Sequence, residues 1–131
     1  MAKIVGVWMY VAPRKPSDDV TLTGAYTLIL TEEEKRKIGD NLLIEQFRVM
    51  DDDTFSDDEV YKPQFPFQIG PANVNAGPNT YPLQVTLPRS KVVNSEPSYE
   101  GAAELYFRVR LSGGGVTTNW ANSQTERVRY K

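Results

Sequence analysis

Gly101-Ala102-Ala103-Glu104-Leu105-Tyr106-Phe107-Arg108-Val109-Arg110-Leu111 sets Ala103, Leu105, Phe107, Val109 and Leu111 against Glu104, Tyr106, Arg108 and Arg110. Side chains of an extended chain alternate between its faces, so this stretch is a strand with an apolar inner face and a charged outer one. Ser112-Gly113-Gly114-Gly115 is a turn, and Val116 to Tyr130 returns beside it as the last strand or strands.

Outward from this strand the same period of two recurs. Lys3 to Val11 places Val5, Val7, Met9 and Val11 on one face and Ile4, Trp8 and Tyr10 on the other; Pro13 to Asp19 is a loop. Val20 to Leu30 alternates apolar residues with threonines. Thr31-Glu32-Glu33-Glu34 forms a capping box, and Gly39 stops a helix of one or two turns without an apolar stripe. Asn41 to Met50 sets Leu43, Glu45, Phe47 and Val49 against Ile44, Gln46, Arg48 and Met50. Pro63 and Pro66 demote Val60 to Ile69 to an edge or irregular run. Gly70 to Thr80 is loop-like, Tyr81 to Leu87 is a strand closed by Pro88, and Lys91 to Glu100 is polar. Six to eight strands with one short helical connector predict an all-β fold, a single antiparallel β-sandwich domain over 1–131.

The chain has 131 residues, 40% hydrophobic and 24% charged, enough for a core without disulfides. Net charge is −2, so no global basic field draws it to nucleic acid. With neither cysteine nor histidine, thiol nucleophiles, imidazole acid-base chemistry and the usual zinc sites are excluded. The first ten residues are too mixed for a signal sequence or membrane span. A cytoplasmic protein is expected, alone or within a larger particle.

Asp51-Asp52-Asp53-Thr54-Phe55-Ser56-Asp57-Asp58-Glu59 gathers six of seventeen carboxylates into nine residues. Each close pair repels by about 1 kcal/mol in water, and solvation, a basic partner or a hard cation such as Ca²⁺ relieves that repulsion. Residues 47–60 resemble the third loop of C2 domains, in which acids follow a hydrophobic strand. The resemblance implies calcium-dependent docking to a lipid head group, carbohydrate or other anionic partner. Its ligand positions fall on Asp51, Asp53 and Glu59, with Asp57 and Asp58 beside them and Asp18 and Asp19 as the counterpart of an earlier calcium loop.

Leu105 to Leu111, the glycine turn, Asn119-Trp120-Ala121-Asn122-Ser123 and Glu126 to Tyr130 resemble the last two strands of a fibronectin type III module. The two resemblances imply an immunoglobulin-like or C2-like sandwich. The outward face of this hairpin carries Tyr106, Arg108, Arg110, Arg127, Arg129 and Trp120, residue types suited to protein interfaces. Glu104 and Glu126 are competing local partners for the arginines. The expectation is a non-catalytic interaction or assembly module that presents an acidic loop and a basic, aromatic face to protein partners or to copies of itself. Acids crowded in one hydrophilic loop do not form the separated pair that cleaves a glycoside. A sugar-stacking platform from Tyr61, Phe65, Tyr81 and Trp120 is the lesser alternative.

Overall fold

The computed structural model of the protein describes residues 2–52, 57–95 and 101–131. Among the described residues, ten strand segments form two antiparallel sheets. The smaller has the order β1 (Lys3–Val11), β2 (Val20–Leu30), β6 (Gly77–Leu87). The larger is built on β3 (Leu43–Asp51) and β7 (Ala102–Gly113), which pair from Ile44↔Ser112 to Asp51↔Leu105. Short segments line its two margins. β4 (Asp58–Tyr61) and β5 (Phe67–Ile69) pair with β3; β8 (Val116–Thr117), β9 (Ala121–Asn122) and β10 (Glu126–Arg129) pair with β7. The all-β sandwich expected from the alternation is present, and the strand count rises to ten because both marginal strands are broken into pieces.

Alternation on β7 and β3 runs as the sequence predicts. Ala103, Leu105, Phe107, Val109 and Leu111 are buried in the core, as are Leu43, Phe47 and Val49 opposite. These face Val20, Leu22, Tyr26, Leu28 and Leu30 of β2 and Leu83, Val85 and Leu87 of β6. The strand β1 departs from expectation. Its register with β2 slips between Val5 and Trp8, and Gly6 takes a φ of 61°, the left-handed conformation that opens a β-bulge. The extra residue moves Ile4 to the core side with Val7, Met9 and Val11, and leaves Val5, Trp8 and Tyr10 exposed.

The capping box forms as read. Thr31 Oγ1 accepts from the Glu34 N–H at 3.1 Å, Glu34 Oε1 accepts from the Thr31 N–H at 2.9 Å, and helix α1 (Glu32–Ile38) buries only Ile38. A second helix, α2 (Arg89–Ser95), covers the start of the stretch read as polar; its Val92 reaches the core. β6 begins at Gly77, four residues before the expected start. Thr21 meets Thr86 and Thr27 meets Thr80 through their hydroxyls at 3.0 and 3.1 Å, as opposed side chains do where a residue's own backbone groups point away from the partner strand. Pro78 and Pro82 share that parity, so their missing N–H groups fall on the free edge of β6 and cost the β2 ladder nothing.

The sandwich is closed along β1. Gln124 Nε2 donates to the Met9 carbonyl at 2.8 Å, joining β1 to the return segment of the larger sheet. Gly24 has no room for a side chain: an added Cβ would lie 1.9 Å from the Trp8 carbonyl oxygen on the neighbouring strand β1 and 2.9 Å from Phe107 Cε2 of the opposite sheet. Gly24→Ala is therefore expected to cost about 3 kcal/mol or more by pushing the β1 backbone off β2 and crowding Phe107. Gly70→Ala, where the same methyl meets nothing within 4 Å, should stay within about 1 kcal/mol of the parent. Denaturant melts of the two variants measure the contrast, and equal midpoints would refute the close approach.

Candidate functional site

Opposite the closed side, the free edge of β6 and the β4–β5 margin of the larger sheet leave a groove of ≈ 760 Å³. Its floor comes from residues whose alternation turns them inward: Glu45 and Phe47 of β3, Tyr81 and Leu83 of β6. Its walls come from the two proline-broken segments. Tyr61, Pro63 and Phe67 stand on one side and Pro78, Thr80, Pro82 and Gln84 on the other. The turn Pro71–Asn73 and Asn75 close one end. Phe67 is 62% exposed, an aromatic ring held at the rim by three residues of pairing with β3.

Aromatic contacts fix the lining. Phe47 stands edge-on to Tyr61 at 6.4 Å between ring centroids and to Phe107 at 5.0 Å, while Tyr81 tilts against Tyr26 at 5.6 Å. The Tyr81 hydroxyl donates to the Asn73 carbonyl at 2.7 Å. Asn79 holds the adjoining turn: its Oδ1 accepts from the Asn75 N–H at 2.8 Å, and its Nδ2 donates to the carbonyls of Asn75 and Gly77 at 2.8 and 3.2 Å. The groove is thus ordered by its own side chains. Its volume and its mix of rings with a few polar groups are those of small-ligand sites.

One carboxyl reaches the groove. Glu45 is buried, and the Tyr26 hydroxyl of the opposite sheet donates to its Oε2 at 2.5 Å. Burial pushes the Glu45 carboxyl above the ordinary carboxylate range, and the Tyr26 hydrogen bond only partly offsets this. The same burial, with Glu45 beside it, raises the Tyr26 phenol.

The basic and aromatic face lies elsewhere, on the outside of the larger sheet. Arg48 and Arg108 are directly opposed in the β3–β7 register, and like charges so placed repel. Trp120 separates them: Arg108 and Arg110 each stand 4.6 Å from its ring centre and Arg48 stands 5.8 Å away. A break in the return strand puts the indole there. On either side of β9 the chain leaves the ladder, and two buried hydroxyls take over its acceptors: before β9 Leu111 N–H donates to Thr118 Oγ1 at 3.0 Å, and after it Phe107 N–H donates to Ser123 Oγ at 2.8 Å. Arg110 Nε donates to Gln46 Oε1 at 2.7 Å. Arg127 and Arg129 are exposed on β10; Arg127 sits 3.8 Å from Glu104, the local partner that competed with an interface role.

The predicted calcium ligands do not converge. Asp51 ends β3 inside the protein and is fully buried, because the inward parity of β3 continues one residue past the expected loop boundary. Asp53 lies outside the described residues. Asp57 accepts a hydrogen bond from the Tyr106 hydroxyl, and Glu59 pairs with Arg48 at 3.0 Å, so the acidic hairpin leans on the basic face of its own chain. That contact covers Tyr106, expected on an open surface and in fact buried, and with desolvation it pushes the phenol up to about 12. Asp58 is exposed on β4. Asp18 accepts from the Lys15 N–H at 3.1 Å and Asp19 from the Arg89 N–H at 3.2 Å, which makes both acceptors in the loop at the end of the sandwich. Among the described residues no three acidic side chains come together in a group that could hold a metal ion.

The sugar-stacking set divides as well. Tyr61 and Tyr81 line the groove, Phe65 is exposed outside the lining, and Trp120 belongs to the arginine face. Phe67, Glu45 and Asn75 were not singled out from the sequence as site residues. Phe67 was legible as an aromatic on a proline-marked edge; nothing in the sequence marked Glu45 apart from a carboxylate at an inward position of a strand.

Comparison with family models, with curated proteins and with solved structures finds no match for this chain. The fold and site define an all-β sandwich with one open side, and the C2-like and fibronectin-like readings rest on residues 47–60 and 105–130 alone. Among the described residues no helix is long and apolar enough to cross a membrane.

The raised Glu45 carboxyl makes stability depend on pH with a definite sign. The folded state holds this proton more tightly than the unfolded state, so its contribution is complete below the unfolded carboxylate value and is lost as pH rises through the folded one. Glu45→Gln keeps an acceptor for Tyr26 and removes the titration. The variant is expected to melt above the parent at neutral pH, with the gap closing in acid; each kcal/mol reads as about 3 to 5 °C in a chain of this size. A gap that widens in acid would reverse the assignment.

Proposed function

We propose that the protein is a non-catalytic binding module whose ligand lies in the groove between β6 and the β4–β5 margin. The observation that carries this reading is the lining: among the described residues, aromatic rings and neutral amides surround a single carboxyl, already engaged by Tyr26, with no lysine or arginine beside them. Such a surface suits an uncharged ligand with an apolar face and a polar edge. Binding without bond cleavage is favoured because glycoside hydrolysis uses two facing carboxyl groups and the lining has one. An NMR screen with uncharged polyol and aromatic fragments tests the reading. Perturbed amides should cluster at 67–70 and 73–84; shifts confined to other surfaces, or none, would refute it.

The arginine face favours a second reading, an interaction surface for an acidic protein partner. Three guanidiniums share one indole, and Glu59 is the carboxylate that pairs with one of them. A half-exposed ion pair of this kind is worth less than about 1 kcal/mol, little enough for a partner's acids to displace Glu59. In a Trp8→Phe background, hexaglutamate peptide should change the Trp120 emission at low salt. High salt and Arg108→Ala should each abolish the change, and an unaltered spectrum at low salt would remove this second surface.

A further inference from the structure

The groove reads its occupant through hydrogen-bond parity, and we infer that it takes a chain of neutral sugar rings, with Phe67, Tyr61 and Tyr81 against ring faces and Gln84, Asn75 and Glu45 toward hydroxyl groups. This rests on the groove being the binding surface proposed above. Three observations narrow the ligand to this class.

Charge comes first. Because the lining holds no cationic side chain, a phosphate, sulfate or uronic acid would enter without a counter-charge and lose its hydration. A cationic ligand would find only Glu45, which is buried and already accepts from Tyr26.

The second is the edge. A peptide strand that extends a sheet needs a continuous row of donors and acceptors. Pro78 and Pro82 delete two donors from the free edge of β6, so strand addition is blocked along the groove's own wall.

The third is the pairing requirement. A proline-rich segment suits an aromatic groove in shape, but its backbone offers carbonyl acceptors and lacks N–H donors. The side-chain oxygens of Asn75 and Gln84 would then be covered and left unmatched, which costs more than an unmade contact in water. Sugar hydroxyls both donate and accept, as amide side chains do, and the axial C–H faces of a pyranose supply the apolar side that rings such as Phe67 need.

Isothermal titration with cellohexaose, chitohexaose, maltohexaose and mannohexaose, and with a decaproline peptide, tests the inference on the full chain. At least one oligosaccharide should bind saturably. Phe67→Ala and Gln84→Ala should each weaken it by about tenfold or more, while Lys37→Ala on the exposed side of α1 should leave it unchanged. Phe67 is mostly exposed, so its truncation leaves the fold intact. Absence of saturable binding to all four sugars at millimolar concentration overturns the saccharide assignment, as does sugar binding indifferent to both variants, or Phe67-dependent binding of decaproline alone. If fragments still perturb the groove while the sugars fail, the ligand class falls and the binding surface stands; if both fail, the proposed function falls with it.

Discussion

Strand β1 lies close on β2 because β2 carries no side chain at Gly24. Gly24 faces Phe107 across the core, with the Trp8 carbonyl folded over the same spot, and any Cβ there would overlap both. That clearance seats β1 beside its bulge, and Gln124 fastens it to the return segment of the larger sheet. With β1 committed to that side, the smaller sheet has no strand left to cover the opposite margin. The groove is the geometric consequence of where the sheets are pinned.

Proline keeps the groove from being filled by further pairing. On one wall Pro78 and Pro82 face the free edge of β6; on the other, Pro63 and Pro66 stop β4 and β5 from joining into one strand along β3. A bare edge in a sandwich invites association with another chain, and removing its donors is a common defence. The same substitution of ring for N–H leaves apolar walls. Edge protection and an apolar lining are here the work of the same residues.

Much of this was legible from period two and from breakers. The alternation of Ala103 to Leu111, the capping box at Thr31 and the fragmentation of Val60 to Ile69 each follow from a local rule that tertiary context does not oppose. What escaped depends on distant partners. The bulge at Gly6 inverts the faces of half a strand, and a lone glycine does not announce its φ. Helix α2 has no apolar periodicity to betray it, since Val92 alone anchors it deeply. The acidic stretch suggested a metal site because spacing says nothing of direction: Asp51 points inward and Asp57 and Glu59 find Tyr106 and Arg48 on the neighbouring strands. Trp120 was placed on the correct face, but its position between three guanidiniums depends on the break between β8 and β9, which no single-strand pattern encodes.

Two polar arrangements in this sandwich depart from what stability alone would select, and they differ in kind. On the outer face Arg48 and Arg108 are opposed beside Trp120, and the half-exposed Glu59 pairs with Arg48 in an ion pair worth little by itself, while Arg108 Nε is buried without a hydrogen-bond partner among the described residues. In the core, Glu45 and Tyr26 give up hydration for one short hydrogen bond, and an apolar pair of similar volume would pack there at no electrostatic cost. Departures from local rules concentrate where a protein does something other than fold. Glu45 is the only charged-type residue of the lining among the described residues, and burial raises its carboxyl. A ligand hydroxyl hydrogen-bonded to this carboxyl would restore part of the solvation that burial removes, so the cost of placing Glu45 there is offset on binding.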